Sequence, residues 1–115
     1  MVLEKKLKKN RTLNGKFMKV YLKIHRRNGM ETIACCDEFL LNQIFTEGNL
    51  KIEISNQFYG GNLLNIEEAI EILKEANNFN IVGESIIKMA IAKKLVPKEG
   101  VRSINGVPMA LKMMF

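Results

Sequence analysis

The sequence predicts an α+β domain built on a mostly antiparallel sheet. Apolar side chains alternate with polar ones over residues 18–25, which is typical of a half-buried strand. Two Asn-Gly pairs lie between apolar segments, and helical periodicity is confined to the middle of the chain. Because helices and strands do not alternate regularly, we predict the order β-β-α-β-α-α-β-β. A chain of 115 residues with 47% hydrophobic content can bury one core without a disulfide or a metal.

The first 16 residues differ in composition from the rest. They are rich in lysine and show no sustained apolar period, so we interpret residues 1–16 as a mobile basic arm and residues 17–115 as a single α+β domain. A short amphipathic helix using Val2, Leu3 and Leu7 is the alternative for the arm.

The first two strands form a predicted hairpin. Asn28-Gly29 suits the positive φ angles of a two-residue type I′ turn. Folding the chain back at this turn places apolar side chains together on one face of the sheet and polar ones on the other. The predicted pairs are Tyr21–Cys36, Leu22–Cys35, Lys23–Ala34, Ile24–Ile33 and His25–Thr32.

Three elements and a loop follow. Asp37 can cap a short helix over residues 38–46, and residues 50–54 alternate as a third strand. Residues 55–62, SNQFYGGN, are expected to form a loop. Asn65 with Glu68 three positions later forms a capping box at the start of a second helix.

The last third of the chain is predicted to contain a helix and a closing hairpin. An apolar helix is expected over about residues 81–95, and Pro97 ends it. Asn105-Gly106 then joins residues 101–104 to residues 107–113. Pro108 places the last strand at an edge or leaves it unpaired there.

Charge is distributed unevenly along the chain, whose formal net charge is +6. Residues 1–27 hold ten Lys/Arg and only one acid, and residues 28–87 hold ten acids and two lysines. Residues 88–115 are basic again, with six Lys/Arg and one acid. If the first strand lies beside the closing hairpin, both basic ends form one cationic surface and the acidic middle faces away.

The polar face of the first strand is the main candidate for binding. It combines cations with an aromatic ring, as sheets that bind single-stranded RNA do. An ordinary solvated face of the sheet is the alternative. In the FYGG loop, Phe58 and Tyr59 could form a stacking platform, or Phe58 could fill the core. Cations near the end of the last helix could contact phosphates or only complement its dipole. The predicted RNA-binding residues are Lys19, Tyr21, Lys23, His25, Arg26, Arg27, Tyr59, Lys93 and Lys94.

The sequence contains no recognisable set of catalytic or metal-ligating residues. His25 is the single histidine, so neither a catalytic triad nor a His-rich metal site is expected. Cys35 and Cys36 are adjacent, which favours reduced thiols and a cytoplasmic protein. No apolar run is long enough for a membrane span. We therefore expect a non-enzymatic protein without cofactor, metal or membrane partner.

Several segments together resemble an archaeal family of unknown function, DUF424. They are VYLKIHRRNG, ACCDEFLLNQIFTEGNLKIEIS, FYGG, NIVGES and INGVP, in this order over residues 18–115. The resemblance implies an α+β fold and an association with archaeal translation and RNA, without assigning catalytic residues. In the family, GVP is often followed by His, whereas this chain carries Met109.

The sequence thus predicts an RNA-binding module associated with archaeal translation or RNA metabolism. The alternative is a protein-interaction adaptor or a homodimer that uses an open edge of the sheet or the Met-rich end of the chain. The apolar residues at that end are Met109, Met113, Met114 and Phe115.

Overall fold

The computed structural model describes residues 18–114. The predicted basic arm and Phe115 lie outside these residues. The strands are β1 (Lys19–Arg27), β2 (Met30–Asp37), β3 (Ile44–Glu47), β4 (Leu50–Glu53), β5 (Asn62–Asn65), β6 (Phe79–Val82), β7 (Arg102–Ile104) and β8 (Val107–Lys112). The α-helices are α1 (Asn56–Tyr59), α2 (Ile66–Lys74) and α3 (Glu84–Ala92), and two 3-10 turns cover Glu38–Leu40 and Lys98–Gly100.

Six strands form one sheet in the order β5-β1-β2-β6-β8-β7, and β3 and β4 form a separate hairpin. Every pair of neighbours in the large sheet is antiparallel except β2 and β6, which are parallel. The predicted α+β class with a mostly antiparallel sheet is confirmed, and the parallel pair is an addition to it.

The first hairpin has the predicted register. Leu22 lies opposite Cys35 and Ile24 opposite Ile33. Asn28 and Gly29 adopt φ angles of 53° and 78°, as a type I′ turn requires. The turn and the apolar pattern specify the same pairing, so a one-residue slip would expose the core face of both strands.

The predicted helix over residues 38–46 is wrong. Only a 3-10 turn forms at Glu38–Leu40, and the chain then becomes strand β3. Phe45 pairs with Ile52 of β4, and both side chains pack against the large sheet. The extended conformation places these side chains on one face of the hairpin, and this tertiary packing outweighs the local helical pattern.

The helix predicted over residues 81–95 begins later than expected. Residues 79–82 form β6, Gly83 turns the chain with a φ of 127°, and α3 ends at Ala92. Phe79, Ile81 and Val82 are all buried because β6 is a central strand with packed residues on both of its faces. Such a short apolar run fits a strand or a helix equally well until its neighbours are known.

The segment between β4 and α2 also contains more structure than a loop. Helix α1 begins after Ser55, whose hydroxyl accepts a hydrogen bond from the Phe58 amide, and β5 pairs with the start of β1. The capping box of Asn65 and Glu68 is confirmed at the N-terminus of α2.

The closing hairpin forms as β7 and β8, but it does not lie beside β1. Strand β8 pairs with β6, so β2 and β6 separate it from β1. Three strand spacings place β1 and β8 roughly 14 Å apart. The predicted merging of the two basic ends into one surface across adjacent strands is therefore wrong.

Two apolar clusters lie on opposite faces of the sheet. Helices α2 and α3 cover the first face, where Leu22, Ile33 and Ile81 are buried with Leu73 and Ile86. The β3–β4 hairpin and α1 cover part of the second face. The buried members of this second cluster are Ala34, Cys36, Ile54, Tyr59 and Val82. No helix within residues 18–114 is long and apolar enough to cross a membrane.

Candidate nucleic-acid interface

The second face of the sheet is only partly covered, and its open part forms the candidate site. Directly paired residues share a face, so Lys23, Ala34, Asn80 and Leu111 form one row across four strands. Leu111 is 62% exposed at the β8 end of this row. The covering elements therefore leave open sheet beside them.

Phe58 of α1 lies over this face and is held there by His25. Their rings stack with centroids 4.7 Å apart and an interplanar angle of 17°. The His25 Nε2 atom lies 2.8 Å from the Phe58 carbonyl oxygen. Because a carbonyl oxygen can only accept, this nitrogen is the hydrogen-bond donor. The Phe58 and Tyr59 rings also meet edge to face, with centroids 4.9 Å apart. Phe58 is thus a half-buried ring with a fixed orientation.

Two cavities meet at Phe58. The first, here named the basic cavity, measures about 530 Å³ and is lined by His25, Arg26, Arg27, Asn28, Met30, Thr32 and Phe58. The second, here named the Asn80 cleft, measures about 540 Å³ and is lined by residues of β4, α1, β6, β7 and β8. The residues that line this cleft include Lys51, Ile52, Glu53, Phe58, Asn80, Arg102, Met109 and Leu111. The shared ring makes them two parts of one surface.

The floor of the Asn80 cleft contains a fixed amide. The Tyr59 hydroxyl donates a hydrogen bond of 2.8 Å to Asn80 Oδ1. Burial, the main cause, together with the charges of Cys36 and Cys35, raises the pKa of Tyr59 to about 12, so its hydroxyl stays protonated at neutral pH. The carboxamide of Asn80 therefore keeps its oxygen towards Tyr59, and its amino group is the remaining donor.

Three predicted site residues, His25, Arg26 and Arg27, are brought together at the basic cavity. Arg26 is paired with Glu31 at 2.9 Å, and both side chains are mostly exposed, so this ion pair is weak. Lys23 lies on the same face as His25, but its ammonium donates to the Gln57 carbonyl oxygen at 2.8 Å. The predicted open polar face of β1 is thus covered in part by α1.

The remaining predicted residues lie elsewhere. Lys19 is at the far end of β1, roughly 26 Å from Arg27 at the usual strand rise. Tyr21 is half-buried in the second cluster. Lys93 and Lys94 are exposed after α3, which packs on the first face. None of these four residues lines either cavity.

Tyr59 is a further correction to the predicted site. Its side chain is 3% exposed, so its ring is not open to stacking with a ligand. The neighbouring Phe58, for which the sequence left a core position open, has the stacking position instead. The two side chains exchange their expected roles because α1 turns Tyr59 towards β6.

Two residues of the surface, Lys51 and Asn80, were not predicted, and Arg102 was considered only among the cations near the end of the last helix. Lys51 of β4, Asn80 of β6 and Arg102 of β7 all line the Asn80 cleft. In the sequence, Asn80 reads only as a residue that interrupts a helical pattern. The alternation of Lys51 with Ile52 indicates that Lys51 points away from the core, but no local signal places β4 opposite β7.

Other chemically active side chains are buried in the core or hydrogen-bonded to the backbone. The thiols of Cys35 and Cys36 are free and buried, and burial is the main cause that raises the pKa of both, that of Cys36 to about 12. The carboxylate of Asp37 accepts hydrogen bonds from the backbone amides of Ser85 and Ile86. Within residues 18–114, no three His, Cys, Asp or Glu side chains are grouped closely enough to hold a metal ion.

Comparison with known proteins places the chain in a family. The model of the family described as "Protein of unknown function (DUF424)" matches residues 25–114. The chain belongs to DUF424. A solved structure, that of an uncharacterized conserved protein from Methanopyrus kandleri, superposes with a TM-score of 0.67 at 22% identity. The match covers 84% of this chain and 95% of that one, and at this identity it shows a shared fold. No curated protein matches the chain.

Membership in DUF424 draws attention to Met109. The sequence resemblance implies that relatives often carry His at this position. The Met109 side chain packs against the second cluster and lines the Asn80 cleft. Met109 therefore lies in the candidate surface.

Proposed function

We propose that this protein binds single-stranded RNA on the second face of its sheet, across the basic cavity and the Asn80 cleft. The observation that carries the proposal is the ring of Phe58, stacked on His25 where the two cavities meet. Unpaired bases stack on such rings, while cations beside them hold the phosphates.

The cations have positions that suit this role. Arg27 lies in the basic cavity on one side of Phe58, and Lys51 and Arg102 lie in the Asn80 cleft on the other. All three side chains belong to exposed residues, so phosphates can reach them. A strand that follows both cavities would pass all three cations and the aromatic pair. An RNA or ribonucleoprotein of the translation apparatus is the target class that the family resemblance favours.

The test is fluorescence anisotropy with a labelled single-stranded RNA and a duplex of the same sequence, at several salt concentrations. The double variant Arg27→Gln with Arg102→Gln removes two phosphate contacts, and each contact contributes about −0.7 to the log-log salt slope of a single strand. We expect the slope to become shallower by roughly 1.4. The control, Lys93→Gln with Lys94→Gln, also removes two positive charges, but from the side of the sheet that α3 covers. It should leave the salt slope unchanged.

Phe58→Leu provides a second arm because leucine keeps an apolar side chain in the half-buried position. Loss of one stacked base should weaken binding about 5- to 150-fold, corresponding to about 1–3 kcal/mol. The proposal fails if the wild-type protein does not bind single-stranded RNA at low salt. It also fails if both charge variants change the slope equally, since binding would then follow total charge.

Protein interaction is a second candidate function, and one observation favours it. Leu111, Met113 and Met114 are 62%, 60% and 53% exposed along the end of the last strand. Adjacent exposed methionine and leucine side chains are typical of adaptable protein-binding surfaces. Light scattering on the full chain and on Leu111→Glu would detect a homodimer as a mass twice that of the monomer, lost in the variant. A monomeric wild-type protein would refute the homodimer.

A further inference from the structure

We infer that the Asn80 cleft receives one unpaired nucleobase and that the Asn80 carboxamide hydrogen-bonds to its edge. This inference rests on the proposed RNA-binding function and adds the group that contacts the base. The cavity of about 540 Å³ lies within the usual range for small-ligand sites, so a single planar base fits into it.

The walls of the cleft have the chemistry that a base requires. Ile52 of the β3–β4 hairpin and Leu111 and Met109 of β8 provide apolar contacts. Phe58 forms the border with the basic cavity and offers an aromatic contact to a base that enters from there. A flat heterocycle packs well between aliphatic side chains and a ring.

Asn80 is the uncharged hydrogen-bonding side chain that the cleft presents at its floor. The hydrogen bond from Tyr59 to Asn80 Oδ1 fixes the plane of the amide, and the Tyr59 ring is itself buried. Within residues 18–114, the Asn80 amino group donates no hydrogen bond to another side chain or to the backbone. The amide can therefore donate to a base and accept from it through the second lone pair of Oδ1. Asparagine makes this two-bond contact with nucleobases in protein–DNA complexes.

Charges around the cleft favour a nucleotide over a neutral heterocycle. Lys51 and Arg102 both line the cleft, and Glu53 is the single acid among the lining residues. The two cations can hold the phosphates on either side of an inserted base. The local charge is then positive although a carboxylate is present.

The experiment distinguishes contacts with the base from contacts with the phosphate backbone. A labelled single-stranded RNA is compared with RNAs of the same length in which one nucleotide at a time is abasic, so that every phosphate is retained. For wild-type protein we expect one abasic position to weaken binding about 5- to 150-fold, with the salt slope unchanged. Equal affinity for intact and abasic RNAs would overturn the inference while leaving the proposed RNA binding intact. No binding of any RNA would overturn both.

Asn80→Asp identifies the residue. The aspartate retains an oxygen for the Tyr59 hydroxyl but lacks the amino donor, so the variant protein should bind intact RNA more weakly than wild type does. Its affinities for intact RNA and for RNA that is abasic at the sensitive position should be equal. Asn77→Asp makes the same chemical change at an exposed position outside both cavities and should keep the full abasic effect. An abasic effect of wild-type size in Asn80→Asp would exclude Asn80 as the contact.

A measurement on the wild-type protein avoids any folding defect of the variant. Addition of a nucleoside monophosphate should shift the side-chain amide NMR signals of Asn80, and ribose 5-phosphate should not. Equal shifts with both compounds would mean that the cleft binds only the phosphate, and would overturn the inference.

Discussion

Replacing Gly83 with alanine tests how the chain passes from β6 into α3. Gly83 has a φ of 127° and a ψ of 149°, a backbone conformation that residues with a Cβ rarely adopt. A Cβ at this position would also overlap the carboxyl group of Asp37. That carboxylate accepts hydrogen bonds from Ser85 N at 2.8 Å and Ile86 N at 2.9 Å, and so caps α3 from the end of β2.

The two consequences of Gly83→Ala can be estimated separately. The strained backbone should cost about 1–3 kcal/mol. Displacement of the capping carboxylate should cost about 1–2 kcal/mol, the same amount that Asp37→Ala should cost alone. Gly83→Ala should thus lower the free energy of unfolding by about 2–5 kcal/mol. In the double variant the cap is lost only once, so the two effects should fall short of additivity by about 1–2 kcal/mol.

Urea denaturation followed by circular dichroism measures these four free energies, since the chain has no Trp. Gly29→Ala is the matched control because Gly29 also has a positive φ, 78°, but no atom lies within 4 Å of the added Cβ. Gly29→Ala and Asp37→Ala should be additive. Additivity of Gly83→Ala and Asp37→Ala within about 0.5 kcal/mol would refute the account of this junction.

Three further predictions concern the cores and the cap. Leu73→Ala should lower the free energy of unfolding by about 2–5 kcal/mol because Leu73 is fully buried in the first cluster; a loss below about 1 kcal/mol in urea denaturation would contradict that packing. Cys35 and Cys36 should react with a thiol reagent only at the rate of unfolding, and a fast reaction in native protein would contradict their burial. Burial raises the pKa of Asp37 from 3.8, so the folded state binds this proton more tightly than the unfolded state. The protonated Asp37 side chain therefore adds to the free energy of unfolding. This contribution is complete below the pKa of Asp37 in the unfolded state and is lost as pH rises through its pKa in the folded state. The difference in urea midpoint between wild type and Asp37→Asn should therefore fall as pH rises above about 4, and an increase would refute the sign.

The parts of the fold that the sequence predicted are those with a local cause. Asn28-Gly29 allows only a few turn geometries, and the alternation in β1 then fixes which residues pair. The capping box of Asn65 and Glu68 likewise lies within four residues. In both cases the determining contacts are close in sequence, so pattern and structure agree.

The errors arose where distant residues decide the conformation. The apolar run at residues 79–82 becomes a strand because β2 and β8 pair with its two edges. Residues 44–47 become a strand because β4 pairs with them and the sheet buries Phe45. Neither partner can be identified from the periodicity of the run itself.

The same limit applies to the candidate site. The polar pattern of β1 correctly placed Lys23 and His25 on one face, but their carbonyl partners belong to Gln57 and Phe58, more than 30 residues later. The FYGG motif indicated that an aromatic residue matters, and only the hydrogen bond from Tyr59 to Asn80 shows which ring is buried. Aromatic content was predictable, whereas its orientation depends on tertiary contacts.

The distribution of charge determines how selectivity could arise in this protein. Residues 18–114 contain twelve Lys/Arg and eleven Asp/Glu, so the described part of the chain is almost neutral. Residues 1–17 add six Lys/Arg and one Glu, which is most of the positive excess. Attraction to any polyanion should therefore depend mainly on residues 1–17, since long-range attraction follows net charge. In the proposed RNA-binding mode, preference for one strand or one base comes instead from Phe58 and Asn80, whose contacts are short-ranged and insensitive to total charge.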